Sequence, residues 1–275
     1  APQQLHISDG ALRKIISDYT MESGVRGLKK RIDTLCRNAA VKLVKGENTV
    51  VTVGTRQLKE MLDRKPMRHD TAMKTGVPGV VTGLAWTQAG GDILFLETMF
   101  TKGEGKIHIT GQLGDVMKES VQVAISLVKS MYPDKADMFQ EYDLHVHVPD
   151  GAVPKDGPSA GITLTTALAS LVTGKAVEPT VAMTGEVTLR GRVLAIGGLK
   201  EKTMAALRSG VHTVIIPRDN VKDLEEIDQT VRAGLHFVPV DTVDQVFEAA
   251  LAAPRGEHAA PRHRASSEAP AALPV

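Results

Sequence analysis

Leu12, Ile15 and Ile16 recur at helical spacing behind Ser8, whose hydroxyl is placed to cap the run, so a first helix is expected that ends near Gly24. A longer helix is expected through Leu28, Ile32, Leu35, Ala39 and Leu43, stopped at Gly46. The β-branched run from Thr49 to Val53 predicts a short strand, and Leu58, Met61 and Leu62 predict a third helix capped by Thr55. From Gly76 the texture changes to strands: Val80 to Trp86, Ile93 to Thr101 and Lys106 to Thr110. A helix from Val116 to Met131, a strand from Tyr142 to Val148 and a largely apolar helix from Ser159 to Val172 follow. The remainder predicts strands at Val181 to Thr184, Val187 to Leu194 with a turn at the Arg190-Gly191 step, Thr213 to Ile216 and Leu235 to Val240, with helices at Leu199 to Ser209 and Val243 to Leu251.

Charge and proline break every period over Arg64-Lys65-Pro66-Met67-Arg68-His69-Asp70, which sets a domain boundary there. The expected organisation is a small, mainly helical domain over 1–68, a linker over 69–75, a larger domain over 76–253 and a disordered tail over 254–275. Strands and helices of the larger domain do not alternate strictly, so α+β, or a mixed α/β sheet, is expected over a doubly wound parallel fold.

Composition narrows the picture. Of 275 residues, 42% are apolar but only 3% aromatic, so aliphatic side chains must fill the core. A net charge of +1 removes bulk charge as an argument for nucleic acid or an anionic membrane as main partner. No uncharged apolar run reaches the length of about 20 residues that a membrane span needs. A single cysteine, Cys36, can form neither an internal disulfide nor a zinc cage; it is expected as a small buried side chain in a reducing, cytoplasmic setting. The opening residues have neither an initiator Met nor a signal peptide, which reads as a piece of a longer protein.

Chemistry concentrates in Pro154-Lys155-Asp156-Gly157-Pro158-Ser159-Ala160-Gly161. Ser159 stands where an apolar helix begins, beside free backbone N–H groups and the positive end of the helix dipole, which suit a developing oxyanion. The simpler reading is an ordinary N-cap serine. A base is needed, and Gly197-Gly198-Leu199-Lys200-Glu201-Lys202 offers two lysines; either must be buried for its pKa to fall into a useful range. Helical periodicity does not choose between them and leans towards Lys200, nearer the stripe of Leu199, Met204 and Leu207. His145 and His147 share a strand face, but no third ligand is evident, so no metal site is expected.

Together with Met183-Thr184-Gly185-Glu186-Val187-Thr188-Leu189-Arg190-Gly191, these two segments occur in the order found in the ATP-dependent Lon proteases, and the chain resembles that family from about Leu5 to Leu251. The resemblance implies a Lon-type proteolytic domain of mixed α/β fold behind a small helical AAA+ lid. It implies a serine endopeptidase with Ser159 as nucleophile and Lys202, rather than Lys200, as general base. Thr184 matches a threonine that hydrogen-bonds the lysine, and Asp156 an aspartate that can reach the serine or lysine in an inactive form; a plain strand residue and a turn-forming aspartate are the simpler readings.

Arg26, in Glu22-Ser23-Gly24-Val25-Arg26-Gly27, matches the sensor-2 arginine that reaches nucleotide phosphates. No Gly-x-x-x-x-Gly-Lys-Ser/Thr loop occurs, so ATP and Mg belong to the longer parent, and peptide hydrolysis by this piece is expected to need no cofactor. The implied partners are unfolded or damaged proteins and further copies of the chain in a hexameric ring, in the cytoplasm, as part of protein quality control and the stress response. A non-catalytic Lon-like assembly or DNA-binding module is the alternative. A third class, weak DNA binding through Arg26, Lys29, Lys30, Arg31 and Arg37, competes with a simple solvated helix, because these residues fall around much of the helix.

Overall fold

The computed structural model describes residues 3–20, 22, 24–46, 50–66, 71–72, 75–87 and 90–251. The beginning of the Thr49 strand, parts of the expected boundary and linker, and the 254–275 tail lie outside these residues.

The N-terminal part contains β1 (Leu5–Ile7), α1 (Asp9–Tyr19), α2 (Arg26–Val44), β2 (Val51–Val53) and α3 (Leu58–Met61). Ser8 caps α1 as expected, its hydroxyl accepting from the Ala11 N–H at 3.2 Å. The helix stops at Tyr19, short of Gly24, and α3 starts behind Gln57 rather than Thr55. Strand β1, absent from the sequence reading, pairs in parallel with β2, because three residues are too few to display a period. Ile15, Leu35, Ala39, Val53 and Leu58 close a separate small core.

The larger part contains β3 (Val80–Thr87), β4 (Gly90–Lys102), β5 (Ile107–Thr110), α4 (Asp115–Met131), α5 (Met138–Glu141), β6 (Tyr142–His147), α6 (Gly161–Thr173), β7 (Val181–Met183), β8 (Glu186–Val187), β9 (Val193–Leu194), α7 (Leu199–Arg208), β10 (Thr213–Pro217), α8 (Gln229–Gly234), β11 (His236–Val240) and α9 (Val243–Ala250). Seven strands form one mixed sheet in the order β11-β10-β7-β3-β4-β6-β5, with β3/β4 and β4/β6 antiparallel and the other pairs parallel. The mixed α/β expectation holds.

Alternation along the strands builds two cores. Val214 and Ile216 face one side of the sheet with Ala182, Leu84 and Ile93, whereas Ile215, Val181, Met183 and Val81 face the other. Helices α4, α6 and α9 cover the second side, and α7 with α8 covers the first. Helix α6 is buried around almost its whole circumference. This explains why its apolar positions show no polar face in the sequence. The site lies where β7 ends, between a helix from each outer layer.

Candidate active site

Ser159 does not begin an α-helix. It is the middle residue of a single 3-10 turn, Pro158–Ala160, that leads into α6, and the N-cap position of α6 is Ala160. Neither cap uses a side chain, so the simpler reading of Ser159 as a capping serine fails, and its half-buried hydroxyl stays uncommitted among the described residues. Gly157 enters the turn at φ 120°, a backbone setting that residues with a Cβ rarely adopt. Pro158 supplies a fixed φ at the first position of the turn. The Ser159 carbonyl is held twice, by the Gly185 N–H at 2.9 Å and by Thr184 Oγ1 at 3.3 Å.

On the opposite layer, α7 carries Lys202. Two close backbone approaches seat this helix on the β3–β4 hairpin: a Cβ on Gly91 would stand 2.0 Å from the Glu201 carbonyl oxygen, and one on Gly198 would meet the Trp86 side chain at 2.8 Å. Lys202 is consequently only 2% exposed, while Lys200 faces solvent. Met204, which helical spacing puts on the same stripe as Lys200, is 49% exposed, so that stripe is not the buried one; the buried face is Leu199, Lys202, Thr203, Ala205 and Ala206.

Among the described residues the Lys202 ammonium has Thr184 Oγ1 as its hydrogen-bond partner, at 3.1 Å, and no hydrogen bond runs directly to Ser159. No ion pair with a carboxylate offsets its burial there. Burial therefore pushes its pKa from 10.5 down to about 8. Thr184 is itself fully buried and follows the last residue of β7, its N–H donating to the Ile215 carbonyl at 3.1 Å. It links the two outer layers: it accepts from the amine and donates to the main chain of Ser159.

Ser159 and Lys202 line one cavity of about 570 Å³. Its apolar wall includes Leu84, Trp86, Phe95, Met117 and Ile196. Asp156 lines it as well, but its carboxylate is committed elsewhere. Its Oδ1 accepts from the N–H of Met117 and of Gly157, both at 2.9 Å, and so caps the first turn of α4. The α4 N-cap is Gly114, and a Cβ there would stand 2.3 Å from the Asp156 carboxyl carbon. The aspartate thus supplies the cap that glycine lacks. No signal in the sequence connects Asp156 with Met117, 39 positions earlier.

The remaining candidates lie apart from the cavity. Arg26 is exposed at the first position of α2. The neighbouring N–H groups of Gly27 and Leu28 donate to Glu22 Oε2 at 2.7 Å and Oε1 at 2.9 Å, and these bonds hold the Glu22 carboxyl below the usual carboxylate range. A carboxylate therefore already engages the first N–H groups of this helix end. His145 and His147 do share a face, and each ring contacts Thr110 Oγ1, at 2.9 and 2.7 Å. Among the described residues no group of three His, Cys, Asp or Glu is arranged to hold a metal ion. Cys36 is exposed, against expectation, because α2 turns Leu35 and Ala39 inward and the next residue lies off that face. Among the described residues no helix is long and apolar enough to cross a membrane.

Fold and site define a two-part molecule: a small helical unit, then a three-layer α/β unit whose cavity presents a free hydroxyl and a buried amine. Residues 1–51 match the model of the Lon protease AAA+ ATPase lid domain, and residues 52–253 that of the Lon protease (S16) C-terminal proteolytic domain. The chain belongs to the Lon protease family. It is 55% identical to a Lon protease of Clostridium beijerinckii over 258 residues, 93% of this chain and 32% of that protein. To a Lon protease of Methanosarcina barkeri it is 52% identical over 252 residues, 90% of this chain and 31% of that protein. To Lon protease 1 of Bacillus subtilis it is 49% identical over 250 residues, 90% of this chain and 32% of that protein. The chain thus spans about a third of the length of these relatives.

Proposed function

We propose that this chain hydrolyses peptide bonds with Ser159 as nucleophile and Lys202 as general base. The observation that carries the reading is the state of Lys202: an amine 2% exposed, with no acidic partner among the described residues and a pKa near 8, in the cavity that also holds the uncommitted Ser159 hydroxyl. A lysine on a solvated helix face would stay charged and inert as a base.

The neutral Lys202 amine takes the Ser159 proton as Oγ attacks the peptide carbonyl carbon. The oxyanion that develops is stabilised by the positive end of the α6 dipole rather than by its first N–H groups, because those of Gly161 and Ile162 already donate to the Pro158 and Gly185 carbonyls. Collapse expels the amine product, which receives the proton from Lys202. The remaining Ser159 ester is hydrolysed by a water that Lys202 deprotonates in turn. Thr184 accepts one N–H of the amine, which leaves the nitrogen lone pair free for the serine, and no carboxylate is needed as third member.

In the longer parent, the cavity would receive unfolded or damaged proteins in the cytoplasm. An ATP-driven ring of six copies would feed it, and Arg26 would sense nucleotide bound by a core that this chain does not contain. A boundary near residues 69–75 separates the lid from the hydrolytic unit in this reading. The chain alone cleaves short or unfolded peptides slowly and without ATP. Hydrolysis of a fluorogenic peptide tests the reading: it is expected to disappear in Ser159→Ala. Hydrolysis that survives intact in that variant would remove Ser159 from the mechanism and favour a non-catalytic assembly or DNA-binding module.

A further inference from the structure

A second lysine stands in the segment that leads to Ser159. Lys155 lies four residues earlier, half-buried in the wall of the same cavity. Its ammonium donates to three main-chain carbonyls: Asp150 O at 2.7 Å, Val153 O at 3.1 Å and Gly111 O at 3.3 Å. An ammonium has three donors and no acceptor, so these bonds saturate it. The main chain of Lys155 is held too. Its N–H donates to Gln112 O at 3.1 Å, its carbonyl accepts from the Gly114 N–H at 2.7 Å, and Leu113 and Lys155 form an isolated parallel bridge.

The backbone gathered around this side chain is strained. Gly111 sits at φ 113°, Gln112 at φ 54° and Asp150 at φ 63°, and two of the three carry a Cβ. Gly111 cannot be exchanged freely, because a Cβ there would stand 2.1 Å from the Val148 carbonyl oxygen. These residues follow the ends of β5 and β6, where the chain leaves the sheet and its carbonyls lose their ladder partners. One cation bonds a carbonyl on each side, Gly111 on one and Asp150 with Val153 on the other. Burial pushes the Lys155 ammonium below its ordinary range, with the Asp150 charge opposing this. A lysine free to choose would extend into water instead.

We infer that Lys155 is a positioning residue of the hydrolytic site: its ammonium ties the 150–155 loop to the Gly111–Gly114 turn and thereby fixes the Pro158–Ala160 turn that carries Ser159. Directly after it, Asp156 fastens the chain to α4, two residues before the Pro158–Ala160 turn. The inference rests on Ser159 being the nucleophile. A displacement of about 1 Å at a reacting atom costs on the order of 100-fold in rate. Loss of the clamp therefore lowers kcat rather than substrate affinity.

The test uses this chain with Cys36→Ser, so that Lys155→Cys introduces the sole thiol. Lys155→Met is expected to lower kcat for a fluorogenic peptide by ~10- to 100-fold, with KM within about twofold. Treating Lys155→Cys with 2-bromoethylamine rebuilds a lysine-like side chain with sulfur in place of one methylene, and is expected to restore most of kcat. Amide hydrogen exchange at Gly114, Lys155 and Met117 supplies a readout independent of the reaction, and is expected to quicken at least about tenfold in Lys155→Met. Should Lys155→Met fail to fold, Lys155→Gln, which keeps two N–H donors, carries the same measurements with smaller expected losses.

Wild-type kcat in Lys155→Met, or unchanged exchange at the three amides, would overturn the inference. A folded, alkylated Lys155→Cys that stays as slow as Lys155→Met would do the same. Ser159→Ala separates this failure from failure of the nucleophile assignment. If hydrolysis persists in Ser159→Ala, the assignment is at fault; if it vanishes there while Lys155→Met is fully active, only the positioning role is.

Discussion

Lys202 Nζ donates to Thr184 Oγ1 across 3.1 Å, and the same hydroxyl reaches the Ser159 carbonyl at 3.3 Å. One threonine at the end of β7 therefore ties the helix that carries the amine to the turn that carries the serine. Thr184→Val keeps the shape and removes both bonds. It is expected to lower kcat by ~10- to 100-fold with little change in KM, whereas Thr184→Ser retains most activity. Steady-state peptide hydrolysis distinguishes these outcomes; an unchanged kcat in Thr184→Val would show the amine to be aimed by something else.

The pH dependence follows from the burial of Lys202. Only the neutral amine accepts a proton, so activity should climb as pH rises through about 8 and level off above it. A rate profile of kcat/KM from pH 6 to 10 checks this. A profile flat across that range would mean that Lys202 does not titrate in the working enzyme.

Stability responds in the same direction. The folded pKa, about 8, lies below the unfolded 10.5, so the unfolded chain binds more protons between these values. This group's contribution to stability therefore increases with pH across the window and is unfavourable below it. Lys202→Met removes the buried cation and is expected to raise the unfolding free energy at pH 7 by up to roughly 3 kcal/mol while abolishing hydrolysis. The gain should shrink above pH 10. Denaturant unfolding at pH 7 and pH 10.5 measures both.

Asp156 acts here as a cap in trans for α4. Asp156→Ala should cost about 1 kcal/mol of stability, and it should slow hydrolysis, since Ser159 is three residues on. Asp156→Asn keeps an acceptor oxygen and should be milder in both respects. Equal losses in the two variants, measured by thermal unfolding and peptide hydrolysis, would point to the charge rather than the cap.

The Gly91 contact makes a steric prediction. Gly91→Ala places a methyl 2.0 Å from the Glu201 carbonyl oxygen, so α7 must move off the hairpin. A loss of about 1–3 kcal/mol is expected, together with reduced activity through displacement of Lys202. A variant with the wild-type thermal midpoint would show that α7 is not held there.

Much of the architecture was legible from spacing alone. The glycine-punctuated, β-prone runs of β3 to β6 and the apolar stripes of α1, α2 and α4 marked their elements within a few residues. The three-residue β1, the nine-residue 3-10 stretch Arg218–Glu226 and the short α8 escaped, being too short or too polar to show a period. The segments around Ser159 and Lys202 stood out by composition, but burial of Lys202 rather than Lys200 did not. It depends on two glycines, Gly91 against the α7 backbone and Gly198 against the Trp86 side chain, that let α7 close on the β3–β4 hairpin, and a helical wheel contains no such information. The long-range hydrogen bonds of Lys155 and Asp156 were hidden for the same reason: their partners lie 39 to 44 positions away.

The central claim is that the buried amine activates the Ser159 hydroxyl. The most direct measurement is the intact mass of the protein after brief exposure to an activated peptide ester at pH 8.5, followed by mapping of the modified peptide. The account predicts one acyl group on Ser159 in the wild-type chain, none in Ser159→Ala, and a rate at least about 100-fold lower in Lys202→Met. Acylation of Ser159 at an undiminished rate in folded Lys202→Met would contradict it.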